Sequence, residues 1–220
     1  MTRVLLVRHG ESNTTVARRI GGPRTCSGLT ELGEQQAARL RDRWSASGEV
    51  AVDVIIASQY RRARQTADIV AAAFPGAPVE VEPDFGEHDP GPECDGLTFT
   101  EFVERHPDAA RAWELQDPHA EVFPGGETLG QFHDRVITAL QRTVARHSER
   151  TVLVACHGGV IDAVLRHVVG APPMGVFEIH TRNTAITELE WTPRDVWRIL
   201  RYNDTAHLDG LPTATPTASD

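Results

Sequence analysis

The sequence predicts an α/β protein: a three-layer α/β/α sandwich around a mostly parallel central sheet, with an antiparallel strand at one edge and a small loop and helix cap inserted above it. Three observations carry that expectation. Continuous apolar runs at residues 4–7, 54–57 and 151–155 have the length and content of strands buried on both faces. Each run stops abruptly, in RHGES at 8–12, SQYRR at 58–62 and CHGG at 156–159. Helix-spaced apolar residues alternate with the strands, the pattern of parallel α/β folds. In such sheets ligands bind in the crevice outside the carboxyl ends of the strands, and two of these strands each deliver a histidine and a glycine there.

The elements follow in order. After the strand at 4–7, residues 11–27 are polar, carry several arginines and pass through Gly21, Gly22 and Pro23. They read as a loop across the mouth of the crevice, with a short helix near 15–19. Thr30 is a good N-cap for a helix over about 31–45, with Leu32, Ala37, Leu40 and Trp44 on its apolar face. Gly33 is a mild blemish in its first turn and Gly48 breaks it. A strand over 52–57 leads into a helix over about 61–74, whose buried side is Ala63, Ala67, Val70 and Ala71. Arg61, Arg62 and Arg64 crowd its amino end, where each cation costs roughly 0.3–1 kcal/mol against the helix dipole, so something anionic should offset them. Pro75, Gly76 and Pro78 end this helix before a short strand over 79–82.

Residues 83–97, rich in Gly, Pro and acids, exclude a regular helix or a central strand. Short helices over 99–105 and 108–115 and a loop over 118–126 complete a cap, residues 83–126, where substrate selection would reside. Residues 127–147 form the longest helix, with Leu129, Phe132, Val136, Leu140 and Val144 at helical spacing. After the strand at 151–155 come a helix over 159–168, a turn at 170–174, and strands over 175–180 and 185–191 that pair to close one sheet edge. A candidate edge strand follows over 197–202. Residues 1–205 read as a single catalytic domain and 206–220 as a disordered tail.

Composition narrows the function classes. A chain of 220 residues buries a full core as one domain with a cap. Its net charge of -9, from 31 acids against 22 basic residues that are all arginine, argues against nucleic acid or an anionic membrane as the partner. Local arginine still builds anion pockets, because its planar fork holds phosphate oxygens in pairs. Cys26, Cys94 and Cys156 are few, odd in number and without a CxxC pair, which points to a reducing, cytoplasmic setting. No apolar stretch reaches about 18 residues, so no membrane span is expected. An exposed edge strand leaves room for a homodimer.

The strand-end residues suggest phosphoryl transfer, which needs a nucleophile, positive donors for the peripheral oxygens and a proton for the leaving oxygen. His9 can attack phosphorus through one ring nitrogen while a neighbour orients the other. Arg8 and Arg62 would neutralise charge during transfer, as would His157 when protonated or donating. Other constellations rank lower. His88, Asp89, Cys94, Asp95 and His106 fit no zinc or calcium spacing, so no metal or other cofactor is expected. The glycines at His157 are no P-loop, since the chain has no GxxxxGK and no lysine. Trp113, Trp191 and Trp197 read as core or interface residues, and Glu11 as a salt-bridge partner at the strand end.

RHGES at 8–12 resembles the signature of the histidine phosphatase superfamily, also called the phosphoglycerate mutase-like family. The resemblance extends over most of the chain: GLTELGEQQA at 28–37, SQYRRARQTA at 58–67, PGGET at 124–128, CHGGV at 156–160 and NTAITEL at 183–189 are similar to family segments in the same order. It implies that His9 is the phosphorylated nucleophile and that Arg8, Arg62 and His157 surround the phosphoryl group. Matching Ala63, Gln65, Thr66 and Ala67 selects Arg62 over Arg61 or Arg64. It also implies a carboxylic proton donor after the short strand near Val81, which nominates Glu87 in FGEHDPG, with Asp84, Asp89 and Glu93 as rivals. A carboxyl held above an anionic substrate favours its protonated form.

Two departures stand out. The family commonly carries an Asn where this chain has Thr15, and Asn13 lies nearby instead. The segment around Cys26 lacks the family's usual Asp. Phosphate or substrate contacts are therefore expected from Arg8, Arg62, His157 and Gly158, and either Asn13 or the hydroxyls of Ser12 and Thr15 supply the remainder. The function implied is a metal-independent phosphatase acting on a small phosphorylated metabolite through phosphohistidine. The alternatives are a mutase, which needs a drier site than this short, Gly- and Pro-rich cap suggests, and a non-enzymatic phosphate-binding regulatory protein.

Overall fold

The interior strands are apolar without interruption because helices cover both faces of the sheet. The computed structural model describes residues 1–115, 119–173 and 177–212. In chain order it contains β1 (Thr2–Arg8), α1 (Asn13–Val16), α2 (Glu31–Ser47), β2 (Val54–Ala57), α3 (Arg61–Ala71), β3 (Val79–Val81), α4 (Gly91–Cys94), α5 (Phe99–Arg105), α6 (Pro107–Leu115), α7 (Leu129–Arg146), β4 (Thr151–Cys156), α8 (Gly158–Val169), β5 (Ile186–Trp191) and β6 (Trp197–Asp204). One-turn 3-10 helices lie at Pro83–Phe85 and Ala206–Leu208. The sheet order is β3-β2-β4-β1-β5-β6. The first four strands in that order run parallel, while β5 is antiparallel to β1 and β6 to β5.

Alternate strand residues serve opposite layers, as the two-residue period requires. Val4, Leu6, Val54, Ile56, Val152 and Val154 pack with Val136 and Leu140 of α7 and Ile161 and Val164 of α8. Leu5, Val7, Ile55, Ala57, Leu153 and Ala155 pack with Leu40 and Trp44 of α2 and Ala67 and Val70 of α3. A separate small cluster of Cys94, Phe102, Ala110, Val122, Phe123 and Leu129 holds the cap together. Two helix starts there are locally encoded: Thr98 and Glu101 form a capping box at α5 within the cap, and Thr128 and Gln131 form one at α7 just after it. Among the described residues no helix is long and apolar enough to cross a membrane.

Gly33 proves to be a requirement of the packing. A Cβ there would lie 2.0 Å from the Glu11 carbonyl oxygen, and one on Gly10 would lie 2.4 Å from the Gly33 carbonyl oxygen. The first turn of α2 thus presses backbone to backbone on the loop after β1, and glycine on both sides permits it.

Three expectations are corrected. The strand pair at the sheet edge is β5 with β6, not residues 175–180 with 185–191. Residues 175 and 176 lie outside the described residues, and 177–180 form no strand because α8 pins their backbone, Arg166 donating to the Phe177 carbonyl and Asp162 accepting the Ile179 N–H at 3.2 Å. The sheet consequently ends in two antiparallel strands. The helix in the first loop is Asn13–Val16, two residues earlier than the 15–19 expected, because Ser12 caps it and Arg18 adopts a left-handed φ of 50°. Residues 206–212 of the expected disordered tail are described, and Ala206–Leu208 forms a turn that buries His207 and Leu208 against the body of the protein; residues 213–220 lie outside the described residues.

Candidate active site

The sheet register itself brings the two histidines together. Arg8 at the end of β1 pairs with Cys156 at the end of β4, so His9 and His157 leave neighbouring parallel strands at the same level. The His9 N–H donates to the Cys156 carbonyl at 3.0 Å, and the two rings meet edge to face with centroids 5.1 Å apart. On the other side of β4, β2 ends in Ser58, whose N–H donates to the Ala155 carbonyl at 3.0 Å.

His9 is 4% exposed, and its hydrogen bonds settle which ring nitrogen keeps the lone pair. Nδ1 lies 2.7 Å from the Gly10 carbonyl, which only accepts, so Nδ1 carries the proton. Nε2 accepts from Arg62 Nε at 3.0 Å and therefore holds the lone pair. Burial, then the Arg62 and Arg8 cations, hold the His9 pKa well below the usual imidazole range, and burial followed by Arg62, His9 and Arg8 does the same for His157. Both rings are neutral near pH 7. Cys156 is also fully buried, and burial pushes its pKa far up, so it stays a thiol.

Cations and helix ends surround the pair. Arg62, on the first turn of α3, also donates to the Gly21 carbonyl at 3.3 and 3.4 Å and lies over the Tyr60 ring at 4.6 Å. Arg8 donates to the Thr181 carbonyl, and a Cβ on Gly158 would sit 3.6 Å from the Arg8 guanidinium carbon. The N-caps of α3 and α8, Tyr60 and His157, make no side-chain cap bond. Their amino ends meet other partners instead: the Arg62 N–H of α3 donates to Cys26 Sγ at 3.5 Å and the Gly159 N–H of α8 to Glu87 Oε2 at 3.1 Å.

Glu87 reaches the same place from the segment after β3. Its Oε2 accepts the Gly159 N–H at 3.1 Å and its Oε1 the His88 N–H at 3.1 Å. The backbone that carries it is clamped from α7: Arg135 donates to the carbonyls of Asp84 at 2.7 Å, Gly86 at 3.2 Å and Glu87 at 3.4 Å, and pairs with Glu127 at 2.6 Å. Tyr60 Oη adds a bond to the Glu87 carbonyl at 3.2 Å. The rival carboxylates are engaged elsewhere or exposed. Asp84 pairs with Arg142 at 2.9 Å, Asp89 accepts the Gly91 N–H at 2.9 Å, and Glu93 is exposed.

The first loop distributes its residues differently. Asn13 is exposed, and its amide donates to the Leu29 carbonyl at 2.9 Å and the Gly28 carbonyl at 3.4 Å, closing the loop on itself. The Ser12 and Thr15 hydroxyls bond each other at 2.9 Å at the start of α1. Cys26 Sγ accepts the Arg62 N–H at 3.5 Å at the amino end of α3. Glu11 accepts the Thr30 hydroxyl at 2.8 Å at the start of α2.

A family model described as the histidine phosphatase superfamily (branch 1) matches residues 4–205. The chain belongs to the histidine phosphatase superfamily. It is 31% identical over 206 residues to phosphoglycerate mutase-like protein 4 of Arabidopsis thaliana, covering 94% of this chain and 86% of that one. It is 30% identical over 212 residues to the metal-independent phosphoserine phosphatase of Arabidopsis thaliana, covering 96% and 85%. The solved structure of Bacillus stearothermophilus YhfR superposes with a TM-score of 0.82 at 28% identity, over 95% of this chain and 100% of that one.

Several residues that sequence reasoning did not single out hold this superfamily site in place. Asn183 Nδ2 donates to the His9 carbonyl at 2.8 Å, and the Thr184 N–H to the Arg8 carbonyl at 2.8 Å. Thr66 Oγ1 accepts the Gly10 N–H at 3.1 Å, and Gln36 Oε1 the Glu11 N–H at 2.9 Å. Asn183 and Thr66 lie inside the NTAITEL and SQYRRARQTA segments, which was the available signal. Arg135 lies on the polar side of a helix and offered none.

Proposed function

We propose that the protein is a metal-independent phosphomonoesterase that hydrolyses a small phosphorylated metabolite in two steps through a phosphohistidine at His9. The carrying observation is the lone pair on Nε2 of a buried, neutral His9, flanked by Arg62, with the Glu87 carboxyl at the neighbouring amino end of α8. In the first step the Nε2–P bond forms as the bond from phosphorus to the leaving oxygen breaks, and Glu87 gives its proton to that oxygen. A phosphoryl dianion close by favours the protonated carboxyl. In the second step Glu87 takes a proton from water, the water oxygen bonds to phosphorus, and the N–P bond breaks to release phosphate. Arg8 and Arg62 hold the peripheral oxygens throughout, which supplies the positive charge the transition state needs.

Phosphate contacts come from Arg8, Arg62, His157 and Gly158 in this reading. Asn13, Ser12 and Thr15 act by shaping the first loop, which Arg62 also holds through Gly21. Residues 1–205 act as one catalytic domain and residues 83–126 as the cap that selects the leaving group. Three free thiols, Cys26, Cys94 and Cys156, support a cytoplasmic setting. The outer edge of β6 is the surface on which a homodimer would form.

A panel of phosphorylated metabolites, assayed for both released phosphate and rearranged product, tests the proposal. Release of one phosphate per substrate consumed is expected. Transfer to a second hydroxyl of the substrate without phosphate release would make the protein a mutase, and neither outcome with any substrate would leave a binding protein.

A further inference from the structure

Ser58 has a part to play that the two-step mechanism leaves unassigned. Its hydroxyl, on a fully buried residue at the end of β2, lies 2.6 Å from His157 Nε2 and accepts the Tyr60 N–H at 3.3 Å. Ser58 has one hydroxyl proton, and among the described residues His157 Nε2 is the acceptor it meets. If Nε2 carried a proton, the hydroxyl would accept twice and its own proton would be buried without a partner, at a cost of about 1–3 kcal/mol. The Ser58 hydroxyl is fully paired only when it donates to Nε2. His157 then carries its proton on Nδ1, an atom that is buried and has no hydrogen-bond partner in the protein.

We propose that Ser58 is a positioning residue that locks neutral His157 in its Nδ1–H tautomer, so that Nδ1–H donates to a phosphoryl oxygen while His9 Nε2 attacks. The two histidines thus share one tautomer but present opposite edges. His9 spends Nδ1–H on the Gly10 carbonyl and keeps for attack the Nε2 lone pair that Arg62 Nε faces. His157 spends Nε2 on Ser58 and keeps Nδ1–H for the substrate. This resolves how His157 stabilises negative charge although burial and the neighbouring cations keep it unprotonated. No charge has to be created at His157 during turnover.

The inference rests on the phosphatase reading, and its test separates the two. Nitrogen-15 NMR of histidine-labelled enzyme at pH 7, with His157 assigned by its disappearance in H157Q, reads the tautomer directly and needs no turnover. The wild type should show a protonated Nδ1 and a bare Nε2, and orthovanadate should shift Nδ1 most. S58A should populate the Nε2–H form and lower kcat by about 100-fold, the size of one lost oxyanion donor. S58T, which keeps the hydroxyl, should restore both the tautomer and most of kcat. A wild-type His157 protonated on Nε2 overturns the proposal whether or not S58A folds, as does an S58A enzyme with unchanged tautomer and kcat. A correct tautomer in a protein that hydrolyses no phosphate monoester would instead overturn the phosphatase reading.

Discussion

Arg62 Nε donates to His9 Nε2 at 3.0 Å, and this one bond orders the site. A guanidinium only donates, so it marks Nε2 as the nitrogen with the lone pair. In the proposed mechanism it also places a positive charge where the entering phosphoryl group meets His9. Burial and this cation together keep His9 unprotonated.

Arg62 is therefore not replaceable by another cation. Its Nε faces His9 while its two terminal nitrogens hold the Gly21 carbonyl, a planar spread that an ammonium does not reproduce. R62K is expected to lose about 100- to 1,000-fold in kcat, within the range for removing a transition-state donor. Steady-state kinetics with a saturating phosphate monoester measure it, and a loss of less than about tenfold would count against the assignment.

In the proposed mechanism Glu87 protonates the leaving oxygen, so its importance should depend on the leaving group. E87Q is expected to lose about 100- to 10,000-fold in kcat on alkyl phosphates, the usual worth of general acid catalysis. On an aryl phosphate such as 4-nitrophenyl phosphate, whose leaving oxygen needs no proton, the phosphorylation step of E87Q, read as a pre-steady-state burst of phenol, should be nearly spared, while the water-attack step, where Glu87 acts as base, slows with either substrate. Equal losses in the phosphorylation step on both substrates would indicate a different proton donor.

The strands, the long helices and the pair of strand-end histidines were legible in the sequence because continuous apolar runs and helical spacing are local signals. His9 and His157 could be placed together from sequence because parallel strands align their carboxyl ends. The edge was misread because residues 177–180 are held by Arg166 and Asp162 from another element, a tertiary interaction with no local mark. Asn13 was legible as a polar residue close to the signature, but whether its amide faces phosphate or the Leu29 carbonyl depends on the path of the loop. Gly33 looked unfavourable for the same reason: helix propensity is local, and the contact with Glu11 is not.

Gly33 gives the sharpest stability prediction. G33A places a Cβ 2.0 Å from a backbone oxygen that cannot rotate away, so α2 must separate from the loop after β1. Helix propensity alone would favour alanine by about 1 kcal/mol. The clash should prevail, with a net destabilisation of about 1–3 kcal/mol in urea unfolding. A stabilised G33A variant would contradict the packing described for the signature loop.

His207 couples stability to acid. Its ring bonds Thr184 Oγ1 at 3.0 Å, and burial first, then Arg43, pulls its pKa down to about 4, with Asp204 and Glu49 opposing and Arg182 assisting. The unfolded chain takes up this proton near the ordinary value of 6.5 while the folded protein does not. Stability is thus fully present above about pH 6.5 and is lost as pH falls towards 4. His9 and His157 contribute with the same sign, so the diagnostic is the difference between variants. Urea midpoints between pH 7.5 and 5 should fall more steeply for the wild type than for H207Q, and parallel slopes would contradict the assignment.

The central claim is a covalent bond from His9 Nε2 to phosphorus. Enzyme mixed rapidly with a turned-over phosphate monoester, quenched under alkaline denaturing conditions and digested, should yield a peptide containing His9 that carries one phosphoryl group. The label should be acid-labile, absent from H9A and chased by water at the turnover rate. Turnover by H9A at the wild-type rate, or wild-type turnover in which the phosphoryl group is found on another residue, would contradict the account.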